Sequence, residues 1–191
     1  VVTPKGEFLG RFAIVSAPPA AAARIRYEPH LPAGRDGLQQ RVPMGAIIKI
    51  IATYSTAFWR TAGFSGQVAT DDDTLGIVMD DARDTCPAAL LCFIEGRHAI
   101  QMSALGKDAR KAKVIASLVR FFGPQAAHPL GYEDNDWLIE PYIHGYVGHM
   151  PPGTMTRFRH ALRAPCGRIH WAGTETATEW AGYIEGGLRS G

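Results

Sequence analysis

The chain has 191 residues, 46% of them apolar and 20% charged, and a formal net charge of +2 at neutral pH. At that length a single domain buries roughly 70% of its unfolded surface, and the ordinary apolar content argues against intrinsic disorder. The near balance of charge argues against a nucleic-acid surface, since the basic cluster Lys107, Arg110, Lys111 and Lys113 has the helical spacing of a solvated face.

In chain order, Thr3-Pro4-Lys5-Gly6 is turn chemistry, and Phe12-Ala13-Ile14-Val15 is an apolar run. Val1 to Ser16 is therefore expected to form a hairpin leading into a buried strand, stopped by Pro18-Pro19. Ala20 to Arg26 has room only for a short helix or turn before Pro29. Gly45 to Tyr54 is the strongest strand, rich in β-branched residues, with Lys49 either at an exposed edge or snorkelling. Ser65–Thr70, Leu75–Met79 and Ala88–Glu95 follow as strands, the first two joined through Asp71-Asp72-Asp73.

Lys107 to Phe122 is the clearest helix. Val114, Ile115, Leu118, Val119 and Phe122 share one face, and Gly123-Pro124 ends it. Tyr132 to Trp137 reads as extended, Pro151-Pro152-Gly153 as a turn, and Thr154 to Leu162 as a short helix with Thr154 near its cap.

Cys86, Cys92 and Cys166 fit neither an even disulfide framework nor a CxxC metal pattern and are expected to be reduced thiols. No run is long and apolar enough for a membrane span, and no leader opens the chain, so a cytoplasmic location is expected. The seven histidines show no paired metal-ligand spacing, so no metal is expected.

The C-terminal segment Trp171–Gly191, WAGTETATEWAGYIEGGLRSG, is the most informative. Arg168 to Trp171 reads as a short strand. Ala172-Gly173 lets the backbone approach another group closely, and Glu175 offers an acceptor for sugar or ribityl hydroxyls. Gly182 opens a run that can start a helix, whose first-turn amides suit a phosphate or a polar ring edge. Taken alone, the pattern equally suits a plain strand, loop and helix closing a domain.

This segment closely resembles the C-terminal flavin-binding signature of the flavin-containing monoamine oxidases and their bacterial relatives such as the putrescine oxidases. The resemblance runs through Ile14-Val15-Ser16-Ala17-Pro18-Pro19, Arg41-Val42-Pro43-Met44-Gly45, Ile48-Lys49, Phe58-Trp59-Arg60, Trp137 and Pro151-Pro152-Gly153, and so from about Val15 to Gly191. It implies an α+β fold. Residues 1–136 would be part of a mixed β-sheet substrate domain flanked by helices. Residues 137–191 would be a return segment whose C-terminal strand-turn-helix completes a Rossmann-like FAD-binding domain.

The resemblance also implies the chemistry: the flavin oxidises a primary or secondary amine to an imine, and oxygen is reduced to hydrogen peroxide. Cofactor contacts would come from Trp137, Gly173, Thr174, Glu175, Trp180, Gly182, Tyr183, Ile184 and Glu185. Tyr146 and Tyr183 match the two aromatics that flank the amine, where electron-rich ring faces attract and confine it. Phe64 falls where the family shapes the substrate passage. His144 and His149 flank Tyr146 and can bias the site toward particular amines or serve as hydrogen-bonded loop residues.

The departures are as informative. Covalently flavinylated relatives carry a cysteine just before the first tyrosine, where this chain has Gly145, so FAD is expected to be held non-covalently. A lysine held near the flavin N5 aligns with Arg24, which keeps the charge but does not readily lose its proton. GxGxxG, the dinucleotide fingerprint, is absent, and the chain opens on Val1, so it is expected to be one piece of a longer polypeptide. Three readings stay open: the C-terminal part of an amine oxidase, a subunit completing a flavin site with a GxGxxG-bearing partner chain or as a homo-oligomer, and a non-catalytic module.

Overall fold

The computed structural model describes residues 1–83 and 87–191, so Cys86 lies outside the described residues. In chain order the elements are β1 (Val2–Thr3), β2 (Gly6–Glu7), β3 (Ala13–Val15), α1 (Pro19–Ala22), α2 (Ala33–Gln39), β4 (Ile47–Tyr54), α3 (Phe58–Thr61), β5 (Val68–Ala69), β6 (Ile77–Asp80), β7 (Ala88–Glu95), α4 (Gly96–Ser103), α5 (Lys107–Phe122), β8 (Gly131–Asp136), α6 (Thr154–Arg163), β9 (Ile169–Trp171) and α7 (Ile184–Ser190). Short 3-10 turns cover Pro124–Ala127, Trp137–Ile139 and Thr174–Thr176. The chain forms two compact units, one of Ala46–Tyr146 and one of Val1–Gly45 with Val147–Gly191.

The continuous unit is built on a five-stranded sheet, in the order β5-β6-β7-β4-β8. Alternation on β4 points Ile48, Ile50, Ala52 and Tyr54 to one face, where they meet Leu90, Cys92 and Ile94 of β7. Helices α4 and α5 close that core with Ala99, Met102, Val114, Leu118 and Phe122, as the apolar stripe of α5 predicts. Tyr54, Phe58 and Trp59 stack edge to face, and the Tyr54 hydroxyl donates to the carbonyl of Ala126 at 3.1 Å. Burial drives the Cys92 thiol up to about 12, which keeps it an inert core group.

Charged pins hold the edges of this unit. Arg110 of α5 donates to Asp134 of β8 at 2.7 Å and to the carbonyl of Met102 at 3.2 Å, with Asp136 3.7 Å away, all buried. Asp72 accepts from the amides of Thr74 and Leu75 and pairs with Arg120, so the Asp71-Asp72-Asp73 turn is tied to α5.

The discontinuous unit pairs β3 with β9 in parallel, Ala13 opposite Ile169 and Val15 opposite Trp171. Helices α2 and α6 pack together around Leu38, Val42 and Leu162. Gly37 makes the approach close, since a methyl there would stand 2.9 Å from the Phe158 ring. Arg35 of α2 donates to the carbonyls of Ala161 and Leu162 at 3.1 and 3.0 Å, satisfying the end of α6. Its guanidinium also lies 3.5 Å over the Trp171 ring.

Several expectations change against this fold. Among the described residues every pairing of the five-stranded sheet is antiparallel, so this sheet is not mixed; for β6 and β7 the connection is too short for the crossover that parallel pairing needs. Lys49 is on an inner strand, flanked by β7 and β8, so the edge alternative is wrong. The strand Ala13–Val15 is not buried: Ile14 is 71% exposed. The strand expected over Ser65–Thr70 shrinks to Val68–Ala69. Thr154 stands next to the cap of α6 as expected, the N-cap position itself being Gly153 at φ 83°. Compactness groups residues 1–45 with the C-terminal segment, where the sequence reading divides the chain at residue 136. The pairing of β3 with β9 and of α2 with α6 is long-range and leaves no local pattern.

Candidate functional site

Strand β9 ends at Trp171, and the chain turns at Gly173, whose φ of 108° and near contact with the Ser16 carbonyl, 3.1 Å from an added methyl, require glycine. The turn that follows is fixed from three sides. Thr174 Oγ1 accepts from the Gly182 amide at 2.6 Å and donates to the Tyr183 carbonyl at 3.0 Å. Thr176 Oγ1 donates to the Gly173 carbonyl at 2.8 Å, and Arg163 of α6 donates to the carbonyls of Thr176 and Ala177 at 2.5 and 2.9 Å.

Glu175 stands inside this frame, half-buried, and no donor among the described residues reaches its carboxylate. Small residues keep room beside it. An added methyl at Gly148 would stand 3.1 Å from Glu175 Cγ, and one at Gly173 would stand 3.5 Å from Glu175 Oε2. A held, half-buried carboxylate without a donor is an acceptor awaiting hydroxyls or amides.

After the turn, Trp180 adopts φ 57° and its ring meets Tyr183 edge to face at 6.0 Å. Gly182, at φ 89°, lets the chain enter α7 with Tyr183 at the N-cap position. Trp180 is 59% and Tyr183 66% exposed, and Ile184 also faces outward, so this end of the unit offers aromatic and apolar surface. Glu185 is committed elsewhere, accepting from Arg189 Nε at 2.6 Å. Arg24, just past α1, is exposed and makes no side-chain bond among the described residues.

The other expected residues belong to the continuous unit. Tyr146 is 43% exposed, with Lys49 Nζ 4.8 Å from its ring centroid. His144, at φ 55°, and Gly145, at φ 149°, bring the chain to that tyrosine. Trp137 opens a 3-10 turn with its indole N–H buried and unpartnered, a donor without an acceptor. Phe64 is half exposed, its ring edge-on to Phe122 at 6.5 Å. The described residues contain no group of metal-ligating side chains and no helix long and apolar enough to cross a membrane.

Sequence reading missed Arg163, Arg35, Gly186 and the placement of Lys49. Arg163 and Arg35 act on distant carbonyls, which no spacing discloses. Gly186 faces the Trp180 carbonyl, a contact set by the left-handed turn at Trp180.

The discontinuous unit thus brings together a strand, a glycine turn with a carboxylate that no described donor reaches, and a short helix entered past exposed aromatics. The model for flavin containing amine oxidoreductases matches residues 1–191, and the chain belongs to that family, whose cofactor is a flavin.

An L-amino acid dehydrogenase of Synechocystis is 39% identical over 193 residues, covering all of this chain and 41% of that protein. The flavin-containing amine oxidase A of Bos taurus is 40% identical, covering 95% of this chain and 35% of its own length. Among solved structures, cyclohexylamine oxidase from Brevibacterium oxydans superposes with a TM-score of 0.89 at 39% identity, over 94% of this chain and 40% of that one. The chain thus spans about two fifths of the length of these relatives.

Proposed function

We propose that these residues form the C-terminal part of an FAD-dependent amine oxidase that holds FAD without a covalent link and oxidises a primary or secondary amine. The bound flavin supplies the two-electron acceptor: the amine gives up two electrons and two protons to become an imine, water splits the imine into a carbonyl compound and ammonia or an amine, and oxygen takes the electrons as hydrogen peroxide. The unpartnered carboxylate of Glu175 inside its fixed turn is the observation that carries this reading.

In this reading Glu175 accepts hydrogen bonds from cofactor hydroxyls, while Thr174 and Arg163 hold the turn so that little ordering is left to binding. Trp137 would stand near the flavin ring, as the resemblance implies. Tyr146 in the continuous unit and Tyr183 in the discontinuous one each offer a ring face to an amine, and Phe64 narrows an apolar approach. Arg24 contributes a fixed positive charge that does not pass protons. A GxGxxG-bearing segment or partner chain supplies the rest of the cofactor site. The names of relatives divide between amines and L-amino acids, and one is a dehydrogenase, so the electron acceptor is tested along with the substrate.

The test is the visible spectrum of the 191-residue chain after incubation with FAD and removal of free cofactor, followed by anaerobic addition of amines and then air. A retained flavin band that amines bleach, with peroxide formed in air, supports the proposal. A retained band that no amine bleaches overturns the oxidase reading. Loss of the band means that the GxGxxG-bearing segment or partner chain is required, to be tested by supplying it.

A further inference from the structure

Helices α4 and α5 cover the face of the five-stranded sheet that carries Ile48, Ile50 and Leu90. Together with the turn before β6 they form an open cavity of about 460 Å³. Its floor is apolar, with Met102 buried and Leu105 half-buried. Its rim is cationic: Arg97 and His98 come from the first turn of α4 and Lys113 from the second turn of α5. Asp73 is the one acid of the lining, and neither Arg97 nor Lys113 pairs with it. Tyr146, Phe64 and Trp137 are not among the walls.

The walls are fixed before any ligand arrives. Arg110 donates to the Met102 carbonyl at 3.2 Å, at the corner between α4 and α5. Asp72 accepts from the Thr74 amide at 2.7 Å and from the Ser117 hydroxyl at 3.3 Å, which anchors the turn carrying Asp73. Arg97 Nε donates to His98 Nε2 at 3.2 Å, so the ring is neutral and its proton sits on Nδ1, buried and without an acceptor. The terminal nitrogens of Arg97 and the ammonium of Lys113 make no bond among the described residues. Cations on a helix face are ordinarily just solvated. Here they ring a hollow with an apolar floor, the combination that small-molecule sites share.

We infer that this cavity binds a singly charged carboxylate with an apolar body about the size of hexanoate. Charge decides the class. Two fixed cations against one acid leave a single positive charge, which a monoanion balances and a phosphate dianion exceeds. The planar fork of Arg97 matches a carboxylate through paired hydrogen bonds. Methylenes laid on Met102 and Leu105 add about fourfold in affinity for each one fully removed from water. Because the walls are already held, little ordering is left to binding.

The test is calorimetry on the folded 191-residue chain with hexanoate, acetate and 1-hexanol, and it needs neither FAD nor turnover. Hexanoate is expected to bind about tenfold or more tightly than acetate, which lacks the apolar body, and than 1-hexanol, which lacks the charge. Arg97→Gln and Lys113→Gln should each weaken hexanoate about fivefold, while Lys113→Arg keeps it. Asp73→Asn should act in the opposite direction, strengthening hexanoate about two- to fivefold. Arg97 and Lys113 are exposed, so thermal melting of these variants should match that of the parent chain. Hexanoate binding that both glutamine variants retain in full would overturn the inference. So would 1-hexanol binding as tightly as hexanoate, inorganic phosphate displacing hexanoate at equal concentration, or no hexanoate binding at all.

Discussion

A methyl group added at Gly186 would stand 2.2 Å from the Trp180 carbonyl oxygen, whereas one at the neighbouring Gly187 would meet nothing within 4 Å. Two adjacent glycines in one helix therefore have opposite meanings. Gly186→Ala is expected to destabilise the fold by about 1–3 kcal/mol, and Gly187→Ala to be neutral or slightly stabilising, both read from urea midpoints. Glu175 and Tyr183 separate in a similar way. Glu175→Ala removes the acceptor and should release flavin, measured as absorbance retained after desalting. Tyr183→Ala should leave flavin bound and slow its reduction by amine; equal loss of flavin in both variants would refute that division. The glycine turn at Gly173 was legible in the sequence because glycine carries its own backbone chemistry, whereas Trp137, Tyr146 and Tyr183 came from the resemblance alone. Arg163 was not legible, since its two acceptors come from backbone 13 and 14 positions away.

At the scale of elements, legibility followed locality. Strands β4 and β7 and helix α5 stand where their apolar periods place them, because each pattern is complete within the segment. Helix α2 was missed because its sequence, AGRDGLQ, has two glycines and little propensity, and its packing against α6 is long-range. β5 is shorter than its composition suggests because Gly66, at φ 75°, packs against Trp59 and Asp80 and takes the preceding residues out of the ladder.

Asp80, at the end of β6, shows how such a corner depends on pH. Burial pushes its carboxyl up, but hydrogen bonds from Arg60, from the Trp59 indole and from the Ala82 amide outweigh that and hold it below the usual 3.8. A lowered folded-state value means stability that is fully present above the unfolded value and lost as pH falls through the folded one. Melting temperature should therefore drop as the pH is taken below about 4, and Asp80→Asn should flatten that drop while lowering stability at pH 7. An unchanged acid limb in the variant would show that Asp80 is not its source.

At the scale of the whole molecule, nearly all of the large apolar core lies within Ala46–Tyr146, while the discontinuous unit buries only Leu38, Val42 and Leu162 as a cluster. Residues 46–146 made as a separate polypeptide are expected to unfold cooperatively, with a single thermal transition by circular dichroism and dispersed amide resonances. A broad, non-cooperative melt would show that the five-stranded sheet needs the flanking segments. The sequence alone could not reveal this division, because residues 1–45 and 147–191 join through β3 and β9, which have three residues each.

That discontinuity has a consequence for the growing chain on the ribosome. β3 is translated roughly 150 residues before its partner β9, a delay of order ten seconds at typical synthesis rates. The intervening Ala46–Tyr146 can finish folding in that time. Until β9 arrives, Ala13–Val15 is an unmatched ribbon with its isoleucine in water, the kind of edge that chaperones shield and neighbouring nascent chains capture. Yield during expression should therefore be governed more by how fast residues 147–191 are delivered than by the stability of the core already made.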